Sequence, residues 1–160
     1  MCQSGTSPRH VAEVGMKKIL TSACLCGQRV RYDGKAAACE DDVFKRWEKE
    51  GRIIPFCPEV MGGLPIPREE AQRRCDRVFT RSGNDVTEEF IRGAEKSLEL
   101  ANSMDIAFIL LKHKSPSCGN VKIYDGTFNG VLIDGQGITS EILSKAGYKI
   151  FDETRLAEAD

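Results

Sequence analysis

Short apolar runs of strand length recur along the chain between longer amphipathic segments. Three of them, at residues 19–23, 52–56 and 106–111, lead directly into segments that contain Gly, Pro or small residues. Because Gly and Pro interrupt regular structure, each run is predicted to be a buried strand that ends in a loop. A further strand is predicted at 148–151.

The segments between these strands favour helices, through apolar residues at helical spacing or a high content of helix-forming residues. They predict helices at 37–50, 68–77, 87–101 and 138–147. Thr87 is predicted to cap the third helix, and Pro67 to lie at the first turn of the second. The segment at 57–67, rich in Pro and Gly, is predicted to be irregular.

This alternation of strands and helices indicates the class of fold. Strands that alternate with helices along a chain are typical of α/β proteins, in which right-handed crossovers connect parallel strands. We therefore expect an α/β protein with a single-domain, three-layer fold around a mostly parallel sheet.

Length and composition fit one domain. The chain has 160 residues, of which 41% are hydrophobic and 29% charged, and a chain of this length buries enough surface to fold without disulfide bonds. Residues 1–15 mix Ser, Pro, Gly and isolated charges and lack the apolar centre of a secretory signal, so they are predicted to form a loose N-terminal extension. The folded domain is expected to span residues 16–160, and a monomer is its default state.

Charge and hydropathy argue against two classes of partner. The chain has 23 Lys and Arg residues against 24 Asp and Glu, a net charge of -1, whereas nucleic-acid-binding proteins carry a basic surplus. The longest apolar runs, such as 106–111, are far shorter than the roughly 20 residues of a membrane-spanning helix. We therefore expect neither a nucleic-acid partner nor insertion into a membrane.

The cysteines indicate a reducing environment. There are seven of them, an odd number, with no C-x-x-C pair. Disulfide frameworks belong to secreted proteins with paired cysteines, so we expect free thiols in a cytoplasmic protein.

Three cysteines, Cys24, Cys57 and Cys118, lie in loops that follow predicted strands. The carboxyl ends of parallel strands meet at one edge of a sheet, where ligands bind. Thiolates bind soft metals and iron-sulfur clusters, and three ligands on a four-iron cluster leave one iron open. A closed zinc site needs a fourth ligand, which Cys26 or His113 could supply. Redox chemistry by Cys24 and Cys26 is a third alternative.

The loops around these cysteines contain further candidates for chemistry. Glu59 is a candidate general acid or base, because burial beside such a site would raise the pKa of its carboxyl. Ser115 and Ser117 could orient a water or a substrate oxygen, and Gly62 and Gly63 would let a flat ligand approach the backbone. Each also has an ordinary structural interpretation, as an ion pair for Glu59 and as turn residues for the others.

Five blocks of sequence together resemble a family long catalogued as a domain of unknown function, whose characterised members are thiouracil desulfurases. The resemblance extends from residue 17 to about 152. The blocks are SACL at 22–25, RYDG at 31–34, FCPE at 56–59 with GGLP at 62–65, PR at 67–68, and SPSCG at 115–119.

The resemblance implies a 4Fe-4S cluster held by Cys24, Cys57 and Cys118, with Glu59 and Ser115 as the catalytic pair. The implied reaction removes sulfur, without net redox change, from a thiolated pyrimidine base or nucleoside whose sulfur binds the open iron. Thiouracil would give uracil and hydrosulfide. The chain departs from the family pattern at Cys26, which allows a modified ligand set. The alternative is a non-catalytic module that binds zinc or an iron-sulfur cluster.

Overall fold

The computed structural model describes residues 17–160, and the predicted extension at 1–15 lies outside them. In chain order the elements are β1 (Lys18–Ser22), a 3-10 turn (Ala23–Cys26), α1 (Asp42–Lys49), β2 (Ile53–Phe56), α2 (Pro58–Met61), β3 (Ala71–Arg74), β4 (Arg77–Thr80), α3 (Thr87–Asn102), β5 (Ile106–Leu111), β6 (Lys122–Tyr124), β7 (Leu132–Asp134), α4 (Ile138–Lys145), β8 (Ile150–Asp152) and α5 (Leu156–Ala159).

A four-stranded parallel sheet in the order β2-β1-β5-β8 forms the centre of the protein. Its two central strands alternate between two cores: Ile19 and Phe108 face one side, and Leu20 and Ile109 the other. Since both faces are covered, the strands are almost continuously apolar, as buried parallel strands are. The predicted α/β fold with helices on both sides of a mostly parallel sheet is confirmed.

Different helices cover the two faces of the sheet. Phe44 and Trp47 of α1 pack with α5 on one face, and the Trp47 ring meets that of Phe108 edge to face at 5.3 Å. Ala101 of α3 and Leu143 of α4 pack on the other face. Among the described residues, no helix has the length and apolar character needed to cross a membrane.

The helix predicted at 68–77 is wrong, because β3 and β4 form an antiparallel hairpin there. The segment is rich in helix-forming residues but has no apolar stripe that a helix could bury. The side chain of Gln72 is buried instead and accepts hydrogen bonds from the backbone N–H groups of Gly126 and Phe128. Contacts with residues more than fifty positions away in the chain therefore decide the conformation of this segment.

Two smaller differences concern where helices begin. The segment predicted to be irregular contains the single turn α2, with Pro58 in its first turn, where its missing N–H removes no hydrogen bond. Thr87 is the first residue of α3 and not its cap. Its hydroxyl accepts from the N–H of Val78 at 2.8 Å, while Asp85 accepts from the N–H of Thr87 at 2.9 Å.

Candidate active site

A cavity of about 430 Å³ opens at the carboxyl ends of the parallel strands. Ser22 ends β1, Phe56 ends β2 and Lys112 follows β5, and all three contribute to its wall. The other lining residues are Ala23, Cys24, Val30, Arg31, Tyr32, Cys57, Pro58, Glu59, Arg68, Glu70, Ala71, His113, Lys114, Ser115, Pro116, Cys118 and Tyr124. The fold therefore forms a pocket where the sequence predicted one.

Cys24, Cys57 and Cys118 all line this cavity, although 33 and 61 residues separate them along the chain. Burial raises the pKa of Cys24 to about 11 and also raises the pKa values of Cys57 and Cys118. Each of these thiols lies close enough to the other two for the charge of one thiolate to disfavour another. Three such thiolates require a positive partner, and bound metal supplies it, since a coordinating thiol is deprotonated outright.

The arrangement does not suit a single metal ion. Within residues 17–160, no three His, Cys, Asp or Glu side chains come close enough together to hold one ion. A four-iron cluster is larger than one ion and holds its thiolates further apart. Of the two candidates for a fourth ligand, Cys26 packs beside one core with its thiol toward the Ser22 carbonyl at 3.8 Å. His113 lines the cavity and pairs with Glu153 through Nδ1.

Glu59 lines the cavity from α2 and is 15% exposed. Arg68 donates from Nε to Glu59 Oε1 at 2.9 Å and uses its other two nitrogens on the carbonyls of Val30 and Pro65. Burial raises the pKa of Glu59, and the charge of Arg68 opposes that shift without cancelling it. The carboxyl therefore takes up a proton more readily than an exposed Glu, as an acid-base group requires.

Ser115 lines the cavity and holds the loop that leads to Cys118. Its hydroxyl oxygen accepts from the backbone N–H groups of Ser117 at 3.1 Å and Cys118 at 3.0 Å. A hydroxyl has two acceptor lone pairs and one proton. With both lone pairs engaged, Ser115 is left able to donate a hydrogen bond into the cavity.

Lys112 and His113 line one wall of the cavity, and the Glu153 side chain contacts both. The Glu153 carboxylate accepts from the backbone N–H of His113 at 2.9 Å, pairs with its ring nitrogen Nδ1, and lies 3.1 Å from Lys112 Nζ. Burial raises the pKa of Glu153, but Lys112 and the His113 hydrogen bonds outweigh burial and hold it below its usual value. The charge of Lys112 also favours the thiolate of Cys24.

None of the three residues predicted to contact substrate, Ser117, Gly62 and Gly63, is among the residues that line the cavity. Ser117 is 1% exposed, and its hydroxyl pairs with Thr139 at 2.8 Å. A Cβ on Gly62 would meet a backbone oxygen of α3 at 2.0 Å, so this glycine allows α2 to approach α3. Gly63 has φ of +101°, a conformation that glycine adopts without strain.

Sequence reasoning missed Ser22 and Glu153 as site residues and named no partner for Glu59. Ser22 lies within one of the five blocks, but nothing about its position in the chain indicates that its hydroxyl meets Cys118, 96 residues away. Glu153 directly follows the strand β8, as the three cysteines follow their strands. This position at a strand end is the sequence feature that could have identified it as a site residue.

Comparisons with known proteins find a family model, a solved structure and a relative that the chain resembles. Residues 19–155 match the family model described as 2-thiouracil desulfurase. A solved structure of a 4Fe-4S-dependent thiouracil desulfidase, TudS, is 48% identical, with a TM-score of 0.87 over 89% of this chain and 95% of that one. An uncharacterised protein of Bacillus subtilis, YbbK, is 38% identical over 148 residues, which are 86% of this chain and 97% of the relative.

Proposed function

The chain belongs to the 2-thiouracil desulfurase family, and from this we propose that it catalyses the hydrolytic desulfuration of a thiolated pyrimidine. Thiouracil and one water would give uracil and hydrosulfide plus a proton. The water oxygen becomes the carbonyl oxygen and the carbon-sulfur bond breaks, so no electrons are gained or lost.

The observation that carries the proposal is the convergence of Cys24, Cys57 and Cys118 on one cavity. These three thiolates would hold a 4Fe-4S cluster, the cofactor named for the TudS relative. Such a cluster leaves one iron without a protein ligand, and that iron supplies a soft Lewis acid suited to sulfur. The donor set supports a cluster over zinc, because the described residues contain no three His, Cys, Asp or Glu side chains close enough together to hold a single ion.

Glu59 is proposed as the group that holds and moves the proton. Its raised pKa lets it accept a proton from the attacking water and deliver one to the pyrimidine ring nitrogen. The hydrogen bond from Arg68 occupies Oε1, which leaves Oε2 for water or substrate.

Ser115 is proposed to orient the substrate by donation. Because its oxygen already accepts two backbone N–H groups, the hydroxyl proton is directed to an acceptor in the cavity, the exocyclic carbonyl oxygen or the sulfur of the substrate. Ser115 therefore positions the substrate and does not act as a base.

The proposed substrate is a small molecule, a thiolated base or nucleoside, and the proposed acting form is a monomer in the cytoplasm. The volume of about 430 Å³ lies in the range of small-molecule sites. A net charge of -1 gives no general attraction to nucleic acid. All six cysteines of the described chain are free thiols, which fits a reducing compartment.

The first experiment measures iron and acid-labile sulfide per chain in protein purified without oxygen, followed by thiouracil turnover on the same sample. About four of each are expected, as a 4Fe-4S cluster requires, together with release of uracil and sulfide in equal amounts. Zinc without labile sulfide would overturn the proposal in favour of a binding module.

The role of Glu59 is tested by Glu59→Gln in the loaded protein. We expect the iron and sulfide content to stay at the wild-type level and turnover to fall by roughly 100-fold or more, the usual contribution of an acid-base group. Glu141→Gln is the matched control, because Glu141 pairs with Arg73 at 2.7 Å and lies outside the cavity. Equal rates in the two variants would contradict the role of Glu59.

A further inference from the structure

Ser22 connects three parts of the site through its hydroxyl. It is the last residue of β1, lines the cavity and is 2% exposed. Its Oγ lies 3.4 Å from the sulfur of Cys118 and 3.0 Å from the backbone nitrogen of Lys112, which follows β5. One buried hydroxyl therefore joins the ends of two central strands to the loop that carries Cys118.

The direction of the two hydrogen bonds follows from the atoms involved. A backbone N–H can only donate, so the Ser22 oxygen is the acceptor from Lys112. The single hydroxyl proton is then left for the sulfur of Cys118. A cysteine that binds metal has lost its proton and can only accept a hydrogen bond. Metal binding therefore strengthens the hydrogen bond from Ser22 to Cys118 and keeps its direction.

Cys57 and Cys118 differ in the hydrogen-bond donors to their sulfurs. Hydrogen bonds from the backbone N–H groups of Val60 and Glu59 oppose the rise in the pKa of Cys57 that burial causes, and substitutions other than proline leave such backbone donors in place. Cys118 receives a side-chain hydroxyl, which a substitution can remove. Hydrogen bonds to the sulfurs are among the factors that set the potential of an iron-sulfur cluster.

We infer that Ser22 is a positioning residue for the proposed cofactor, donating a hydrogen bond to the Cys118 thiolate. This inference rests on the proposed function, since it requires the cluster. The bond draws electron density from the sulfur and so stabilises the more negatively charged, reduced state of the cluster. It also weakens the donation of the thiolate to iron, which makes the site a stronger Lewis acid toward substrate sulfur.

The experiment compares wild type, Ser22→Ala, Ser22→Thr and Ser97→Ala, each purified without oxygen. Ser97→Ala is the matched control, because Ser97 is a fully buried serine whose hydroxyl donates to a backbone carbonyl within α3, outside the cavity. Two quantities are measured: the midpoint potential of the loaded cluster, and the rate at which a chelator removes its iron. Neither measurement depends on turnover.

We expect Ser22→Ala to have a more negative potential than wild type and to lose iron roughly 10-fold faster, as loss of an outer-sphere partner does. Ser22→Thr should restore both quantities toward wild type, and Ser97→Ala should match wild type. A loaded Ser22→Ala protein with wild-type potential and iron release overturns the inference.

The remaining outcomes also decide the question. If Ser22→Ala retains no cluster while Ser22→Thr does, the hydroxyl is required and the inference holds. If both variants fail alike although Ser22→Thr keeps a hydroxyl, the hydroxyl does not account for retention of the cluster, and the inference is wrong. Wild-type protein without iron and sulfide overturns the proposed function as well, which separates that failure from a failure confined to Ser22.

Discussion

Arg68 holds one oxygen of Glu59 and leaves the other for the role proposed for this carboxyl. Its guanidinium has nitrogens in a fixed planar arrangement, and two of them are held by the carbonyls of Val30 and Pro65. The third, Nε, is therefore aimed at Glu59 Oε1, and both side chains are largely buried. A more flexible or shorter side chain could not hold the carboxylate in this orientation.

We expect Arg68→Gln to lower kcat by roughly 100-fold, because misplacement of a reacting group by about 1 Å has an effect of that size. Arg73→Gln is the control: Arg73 also donates to two carbonyls, those of Cys75 and Gln136, and to one carboxylate, but lies outside the cavity. Steady-state turnover by cluster-loaded protein measures the effect. An equal loss in both variants would mean that Arg68 acts on stability alone.

At the scale of elements, the packing of α2 on α3 places Glu59. Two glycines allow the two helices to touch through their backbones: a Cβ on Gly62 would meet the Glu89 oxygen at 2.0 Å, and one on Gly93 would meet the Pro58 oxygen at 1.9 Å. Any side chain at either position must push α2 away from α3. The short helix that carries Glu59 would move with it.

Gly93→Ala is therefore expected to destabilise the protein even though alanine favours helices. The clash with α2 is expected to cost about 1–3 kcal/mol, against a gain of about 0.5–1 kcal/mol from replacing glycine within a helix. Chemical denaturation measures the free energy of unfolding, and turnover should fall as well. Glu95→Ala on the exposed face of α3 is the control; a Gly93→Ala protein as stable as that control would contradict the close packing.

The start of α3 gives the protein a pH dependence of stability. Hydrogen bonds from the hydroxyl and N–H of Thr87, followed by that from Arg77, lower the pKa of Asp85 from 3.8 to about 2. A carboxyl with a lowered pKa in the folded state stabilises the protein above its unfolded pKa. That contribution is lost as the pH falls from about 4 to about 2.

We expect the free energy of unfolding to decline more steeply over that pH range in the wild type than in Asp85→Asn, which has no carboxyl to protonate there. Denaturant unfolding at a series of pH values measures the two slopes. Asp134→Asn is a second variant of the same kind, because the hydrogen bond from Lys122 also lowers the pKa of the exposed Asp134 carboxyl in the β6-β7 hairpin. Parallel slopes for wild type and Asp85→Asn would show that Asp85 contributes nothing.

At the scale of the whole molecule, the proposed cluster lies at the edge of two cores. Cys24 belongs to the core on one face of the sheet and Cys118 to the core on the other. Both cores otherwise consist of packed apolar side chains that need no metal to associate. We therefore expect the protein to remain folded without the cluster and to be more stable when the cluster is bound.

Trp47 allows this to be measured, since it is the single tryptophan of the chain and is fully buried. We expect its fluorescence to report one cooperative unfolding transition in protein stripped of iron, and a transition at higher denaturant concentration in loaded protein. Apoprotein that shows no cooperative transition would mean that the fold depends on the metal, as in small metal-stabilised domains.

The sequence alone determined the parts of this protein that depend on local chemistry. Apolar runs ended by Gly and Pro predicted the strands, and parallel strands bring their carboxyl ends together, so the meeting of Cys24, Cys57 and Cys118 was predictable. Tertiary structure decided the rest. The β3-β4 hairpin depends on the remote backbone that Gln72 binds, and the partner of Cys118 lies 96 residues away. Such contacts depend on how segments that are distant in the chain pack together, and the local pattern of residues does not indicate that packing.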